Sequence, residues 1–210
     1  MINVACVLRQ GGKVGYDSSW VEKLKNSVDR NLNLSYRFIC LSDCDVPCHR
    51  IPLISTGRGY WSKIELFRPN LFDGPVLYID LDNVVCGQLD EIIEKIKNEK
   101  FVMLKEHDTD IISSSIMWWN GDYSNLWNEW LKNSPKYWKT IYSSIPKLGD
   151  QAFIEDRVKF SVLQELIPET WIDWANKRQS NQNAKILIFR KPGQKPSTMI
   201  DHPLVKEHWK

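Results

Sequence analysis

Asp80 and Asp82 stand two residues apart, directly after the apolar run Val76-Leu77-Tyr78-Ile79. Residues two apart on extended backbone point the same way, so both carboxylates can serve one site. Carboxylate oxygens suit Mg2+ or Mn2+, and such an ion can bridge onward to phosphate oxygens. A cation held there neutralises the charge that grows on a departing diphosphate, without any proton transfer. The plain alternative is an acidic turn closing a strand, because Asp favours turns and caps. An Asp-x-Asp pair is common by chance. Its place after a buried strand, with Asn83 next and an amphipathic helix soon after, argues for chemistry.

Other side chains could join that chemistry. Arg9 and Lys63 can pair with phosphate or orient a donor, Arg through a planar fork and Lys as a point charge. The hydroxyls of Ser113, Ser114 and Ser115 can read sugar hydroxyls, although Ser-rich segments are also ordinary turns. Asp150 follows Gly149 at a helix start, where it can accept a proton from a hydroxyl or simply cap the helix. Lys191 and Lys195 flank Gly193 in a basic loop that can approach a diphosphate. Cys44, Cys48 and His49 lack the tight pairs of a structural zinc site. His107 follows a strand, as a crevice residue or a plain surface histidine would. Trp118, Trp119, Trp127, Trp130 and Trp138 are mostly core by spacing, with one or two rings left to orient an acceptor sugar.

These residues need elements to hold them. Residues 3–8 read as a buried strand closed by Gln10-Gly11-Gly12. Asp17, Ser18 or Ser19 can cap a helix whose apolar positions Val21, Leu24 and Val28 recur at helical spacing. Residues 36–41 form a second strand, 51–54 a short third one, and 60–69 a helix ended by Pro69. The run 76–79 suits a central strand covered on both faces. Asp80 and Asp82 then leave its carboxyl end, where open α/β sheets present their ligand crevice. Leu89, Ile92, Ile93 and Ile96 stripe the next helix, and 101–104 and 114–119 are further strands. Leu126, Trp127, Trp130 and Leu131 mark a helix face. Another helix follows at 150–158, with a late strand at 185–190. Strands alternating with helical patterns predict an α/β fold with a mostly parallel central sheet flanked by helices, and mixed directions near the end. Residues 1–210 read as a single domain that could also be one domain of a longer polypeptide. The tryptophan-rich middle and basic tail form its smaller acceptor-side lobe.

Composition narrows the classes. Against 28 Lys and Arg stand 26 Asp and Glu, a net charge of +2 that gives no nucleic-acid footprint. Five cysteines are an odd count with no disulfide framework, which favours a reducing compartment. No stretch approaches the roughly 18 apolar residues of a membrane span. The apolar opening is broken at once by Arg9, unlike a signal peptide. The expectation is a cytoplasmic protein with neither a membrane span nor a nucleic-acid partner. No G-x-G-x-x-G follows the first strand, which weighs against a dinucleotide oxidoreductase.

The segment Ile79-Asp80-Leu81-Asp82-Asn83-Val84-Val85 resembles the D-x-D segment of GT-A glycosyltransferases, especially the glycogenin-like and lipopolysaccharide-sugar-transferase group with its small bacterial and large-DNA-virus relatives. Other stretches agree in kind and order. The opening strand with Leu8 and Arg9 at its end resembles that group's nucleotide-binding start, and residues 36–43 resemble its second strand, whose end approaches the base. Trp61-Ser62-Lys63-Ile64 resembles the helix before the metal strand. Ser113-Ser114-Ser115-Ile116-Met117 is similar to N-S-G/S-V-M, Gly149-Asp150-Gln151 to the D-Q helix start, and residues 189–196 to F-x-G-x-x-K-P. The match spans residue 3 to about residue 196.

The resemblance implies donor contacts from Leu8, Arg9, Asp43 (to the uracil), Lys63, Asp80, Leu81, Asp82, Ser113, Ser114, Ser115 and Lys195. It gives Asp150 and Gln151 catalytic or donor-sugar roles. Asp80 and Asp82 are the implied metal ligands. Where the family often has His in the last loop, this chain has Phe189-Arg190, so His202 or His208 from the tail, or phosphate and water alone, complete the set. The expected activity is transfer of a hexose or deoxyhexose from a UDP-sugar, the nucleotide-sugar donor, to a hydroxyl of a carbohydrate or glycan acceptor, with Mn2+ or Mg2+ as cofactor. The cytoplasm would be that of a host if the source is viral. Alternatives are a nucleotidyltransferase making nucleotide-sugars and a non-enzymatic carbohydrate-binding module.

Overall fold

Burial along the strands alternates between two cores, one on each face of a central sheet. Val4, Cys6 and Leu8 join one core while Ala5 joins the other, and Leu77 and Ile79 oppose Val76 and Tyr78 in the same way. This period of two, with both faces covered, is why the sequence shows near-continuous apolar runs. The computed structural model describes residues 1–12, 14–107, 109–175, 181–190 and 193–210.

The strands are β1 (Ile2–Leu8), β2 (Tyr36–Ser42), β3 (His49–Pro52), β4 (Val76–Ile79), β5 (Val84–Val85), β6 (Phe101–Lys105), β7 (Ile112–Trp119), β8 (Ser161–Val162), β9 (Ile172–Trp174) and β10 (Ile186–Ile188). The helices are α1 (Ser18–Asn31), α2 (Leu89–Ile96), α3 (Ser124–Leu131), α4 (Pro135–Ile141), α5 (Gly149–Glu155), α6 (Leu163–Leu166) and α7 (Pro203–His208). The main sheet has the order β3-β2-β1-β4-β7-β6-β8. All its neighbours pair in parallel except β7, which runs antiparallel to both β4 and β6. The mixed direction thus falls in the middle of the sheet, beside the strand that carries the acidic pair.

Helix α1 starts as expected: Asp17 caps it, accepting from the Ser19 amide at 2.9 Å. Its Trp20, Val21, Leu24 and Val28 are buried in the same core as Leu89, Ile92, Ile93 and Ile96 of α2. On the other face, Trp61, Trp118's neighbour Trp119, Trp127, Trp130 and Trp138 pack with Phe153. Trp118 itself lies in the first core. All five tryptophans 118, 119, 127, 130 and 138 are therefore core residues, and none offers an open platform to a sugar.

Several boundaries differ from the sequence expectation. The helix expected at 60–69 is a 3-10 segment, Gly59–Phe67, closed by the Arg68 amide on the Glu65 carbonyl before Pro69 removes the next donor. The third strand sits at His49–Pro52 and not at 51–54, because pairing with β2 fixes its register and Pro52 ends it. The late strand Ile186–Ile188 leaves the main sheet and forms a small second one, ordered β5-β10-β9. Against that sheet packs the tail, with Leu204 and Val205 of α7 buried beside Val84, Leu187 and Phe189.

Glu65 fixes the 3-10 segment from within. Its carboxylate is wholly buried and accepts from the amides of Ile54 (2.8 Å) and Ser55 (2.9 Å) and from the Ser55 hydroxyl (2.8 Å). Arg9 at 3.4 Å and Arg68 at 3.5 Å balance its charge. Glu65→Gln leaves two guanidiniums short of their counter-charge, and is expected to lower unfolding free energy by about 3 kcal/mol, read from the urea midpoint. Gly149 has a φ of +71° and a Cβ there would stand 2.7 Å from the Tyr60 ring. Gly149→Ala is expected to cost about 2 kcal/mol in the same assay and to raise KM-type or binding constants at the adjoining site.

Candidate active site

Strand β4 ends at Ile79, and the chain turns at Asp80-Leu81-Asp82, held there by the Asp80 amide on the Ser115 carbonyl at 2.9 Å. Asn83 clamps the turn from the other side, donating to the same carbonyl at 3.0 Å. Because β7 is antiparallel, its opening serines lie beside the closing end of β4.

Both carboxylates are partnered. The Asp80 side chain accepts from Tyr78 Oη at 2.5 Å and pairs with Lys63 Nζ at 2.9 Å. Lys63 also reaches Ser114 Oγ at 3.1 Å and stands 3.6 Å from Asp150. Ser114 donates in turn to Asp150 Oδ2 at 2.6 Å. Asp82 Oδ2 accepts from Tyr16 Oη at 2.7 Å and from the ammonium of Lys195.

Burial pushes the Asp80 carboxyl up to about 6, with the Lys63 ammonium opposing the rise and the Asp82 charge adding to it. Burial works against the Lys63 charge, but Asp150 and Asp80 outweigh it and hold Lys63 above the ordinary lysine range. Burial and then the Asp82 charge push the Tyr16 phenol upward, so it stays a donor.

These groups face a cavity of about 340 Å3 lined by Arg9, Tyr16, Tyr60, Lys63, Asp80 and Asp82 among others, with Lys195 across from the acidic pair. A larger cavity of about 870 Å3 lies along the same carboxyl edge of the sheet, between Lys105, Glu106, His107, Asp173 and Trp174. There Arg190 pairs with Glu106 at 2.8 Å, and the His107 and Trp174 rings lie 6.2 Å apart.

The sequence candidates divide between the cavity and the protein interior. Asp80, Leu81, Asp82, Lys63, Arg9 and Lys195 line the smaller cavity. The Arg9 guanidinium is largely spent on the protein itself, donating to Ser62 Oγ at 2.7 Å and the Ser55 carbonyl at 2.9 Å. Asp43 accepts from the Gln10 amide at 3.0 Å, so it fixes the loop after β1. Leu8 is fully buried as the last residue of β1. Ser113, Ser114 and Ser115 are buried, and their hydroxyls bond to one another and to Asp150. Asp150 is buried behind Lys63, while Gln151 is half-buried beside it on α5. Lys191 lies outside the described residues.

His202, the residue before α7, has a buried Nδ1 without a hydrogen-bond partner, and the charge acting on it is that of Asp173. Among the described residues no group of three His, Cys, Asp or Glu side chains could hold a metal. His202 therefore does not complete a set with Asp80 and Asp82. What remains is a pair of carboxylates with like charges held close, which would suit a hard, oxygen-seeking cation. Tyr16 and Tyr78 were missed in the sequence, since only Tyr78 stood next to the acidic pair and nothing in the spacing brought Tyr16 to it.

No protein-family model matches the chain, and no curated protein matches its sequence. Solved structures do match it in shape. The glycosyltransferase GlyE of Streptococcus pneumoniae TIGR4 superposes with a TM-score of 0.68 at 12% identity, over 100% of this chain and 60% of GlyE. The galactosyltransferase LgtC, solved with donor and acceptor sugar analogs, gives a TM-score of 0.57 at 10% identity, over 99% and 96%. Mouse xyloside xylosyltransferase 1 gives 0.52 at 13% identity, over 88% and 96%. Identities this low carry the fold alone. The chain has the α/β architecture of GT-A glycosyltransferases, a mostly parallel central sheet flanked by helices with the acidic pair at its carboxyl edge.

Proposed function

We propose that the chain is a glycosyltransferase that moves a hexose or deoxyhexose from a UDP-sugar to a carbohydrate hydroxyl, assisted by Mn2+ or Mg2+. One observation carries this reading: Asp80, Asp82, Lys63 and Lys195 converge on a single cavity at the carboxyl edge of a GT-A-type sheet. Asp80 and Asp82 would hold the cation, which supplies counter-charge to the diphosphate as the bond from the anomeric carbon to its oxygen breaks. Lys195 leaves Asp82 and takes a phosphate oxygen, so its charge stays in the site throughout. Lys63 stays with Asp80 and fixes its orientation, and Ser114 and Asp150 hold Lys63 in place. Tyr60, half exposed at the cavity wall, bounds the space left for an acceptor, whose oxygen would bond to the anomeric carbon while the departing diphosphate takes its proton.

The test is calorimetric titration with UDP-, GDP- and TDP-sugars, each with Mn2+ and with chelator. The expected result is binding of the uridine series alone, lost with chelator and weakened by roughly a hundredfold in Asp82→Ala. Folded protein that binds none of the panel would falsify the reading. Lys195→Met separates the two roles of its ammonium. With no competitor on Asp82, Mn2+ alone should bind up to about tenfold tighter, while UDP with Mn2+ should bind about tenfold weaker. Titration of Mn2+ followed by its electron paramagnetic resonance signal reads the first effect without any turnover.

A further inference from the structure

Residues 130–149 hold four lysines, Lys132, Lys136, Lys139 and Lys147, and no Asp or Glu. The inner side of this stretch is committed to the core through Trp130, Trp138 and Tyr142. Its outer side exposes Leu131 (59%), Tyr137 (46%), Ile141 (53%), Ile145 (68%) and Leu148 (36%). Tyr137 and Ile141 are four apart on α4, so they share one face. The Ser143–Leu148 bridge then closes a turn that puts Ile145 near its tip. Lys132 and Lys147 pair with acidic neighbours, at 2.6 Å to Glu129 and 2.6 Å to Asp156. Lys136 and Lys139 have no carboxylate partner among the described residues, and both are exposed. Apolar tips set among unpaired lysines make a surface that gains from water's exclusion and from negative charge together.

The surface also has a defined place. Leu148 precedes Gly149, whose backbone packs on the Tyr60 ring, and Tyr60 lines the cavity that holds Asp80 and Asp82. One end of this surface, at Leu148, therefore lies next to the cavity wall formed by Tyr60. We infer that this surface docks on an anionic lipid surface. A second copy of the chain fits less well, because twofold self-association would set lysines against lysines. No described helix is long and apolar enough to span a membrane.

The test is cosedimentation of the intact chain with vesicles of phosphatidylcholine alone, and with about one third phosphatidylglycerol added. The chain should sediment with the anionic vesicles and be released at high salt. Ile141→Asp with Ile145→Asp should cut the bound fraction roughly tenfold, and Lys136→Ser with Lys139→Ser should do so on anionic vesicles by a similar factor. All four positions are exposed, and an unchanged urea midpoint confirms that the variants fold. Protein that stays in the supernatant with both vesicle types overturns the inference, as do variants that bind like the parent. A dimer in sedimentation velocity that the aspartates dissolve, without any vesicle binding, assigns the surface to self-association instead. Nucleotide binding is measured apart from lipid, so either result leaves the transferase reading to its own test.

Discussion

The Lys63 ammonium is the tie on which the site depends. It sits among Asp80, Ser114 and Asp150, and so joins the end of β4, the start of β7 and the first turn of α5 through one buried charge. A charge in that position is costly unless every neighbour is matched to it. Here the matching is made by two carboxylates and a hydroxyl whose own hydrogen goes to Asp150. Removing any one of them leaves the others badly placed. Two residues on, Glu65 repeats the device with the opposite sign, so a short 3-10 segment anchors both the acidic pair and the Arg9 loop.

The second constraint is the return of the tail. Strand β5 follows Asn83 directly and pairs with β10, which brings the segment around Lys195 over Asp82. The small sheet and α7 thereby give the acidic pair a cation from the far end of the chain. Any cation that approaches Asp82 meets this ammonium already on the carboxylate.

Much of this was legible from local signals. The run 76–79 with Asp80 and Asp82 read as a covered strand ending in a crevice, because a strand buried on both faces must be apolar at every position. A cap among Asp17, Ser18 and Ser19 and the Val21, Leu24, Val28 stripe marked α1, and the structure assigns the cap to Asp17. Sites built from long-range partners were less legible. Ser113, Ser114 and Ser115 looked like hydroxyls waiting for a sugar, but an antiparallel β7 turns them toward Asp150 and one another. Arg9 looked like a phosphate ligand, yet Ser62, the Ser55 carbonyl and Glu65, all distant in sequence, take up its guanidinium. His202 looked available as a ligand, and the tail's packing sets it against Asp173. Two-residue strands such as β5 and β8 carry no period of their own, so nothing in the sequence could announce them.

The separation of Asp82 and Lys195 along the chain, 113 residues, has a consequence for the order in which the molecule is made. At the usual pace of synthesis, about 5–20 residues per second, the acidic pair emerges roughly 6–23 s before the lysine that neutralises it. During that interval β4 can pair with β1, and of the two groups that donate to Asp82 only Tyr16 has been made. Until Lys195 has been made, the Asp82 carboxylate lacks the ammonium that it accepts from in the folded chain.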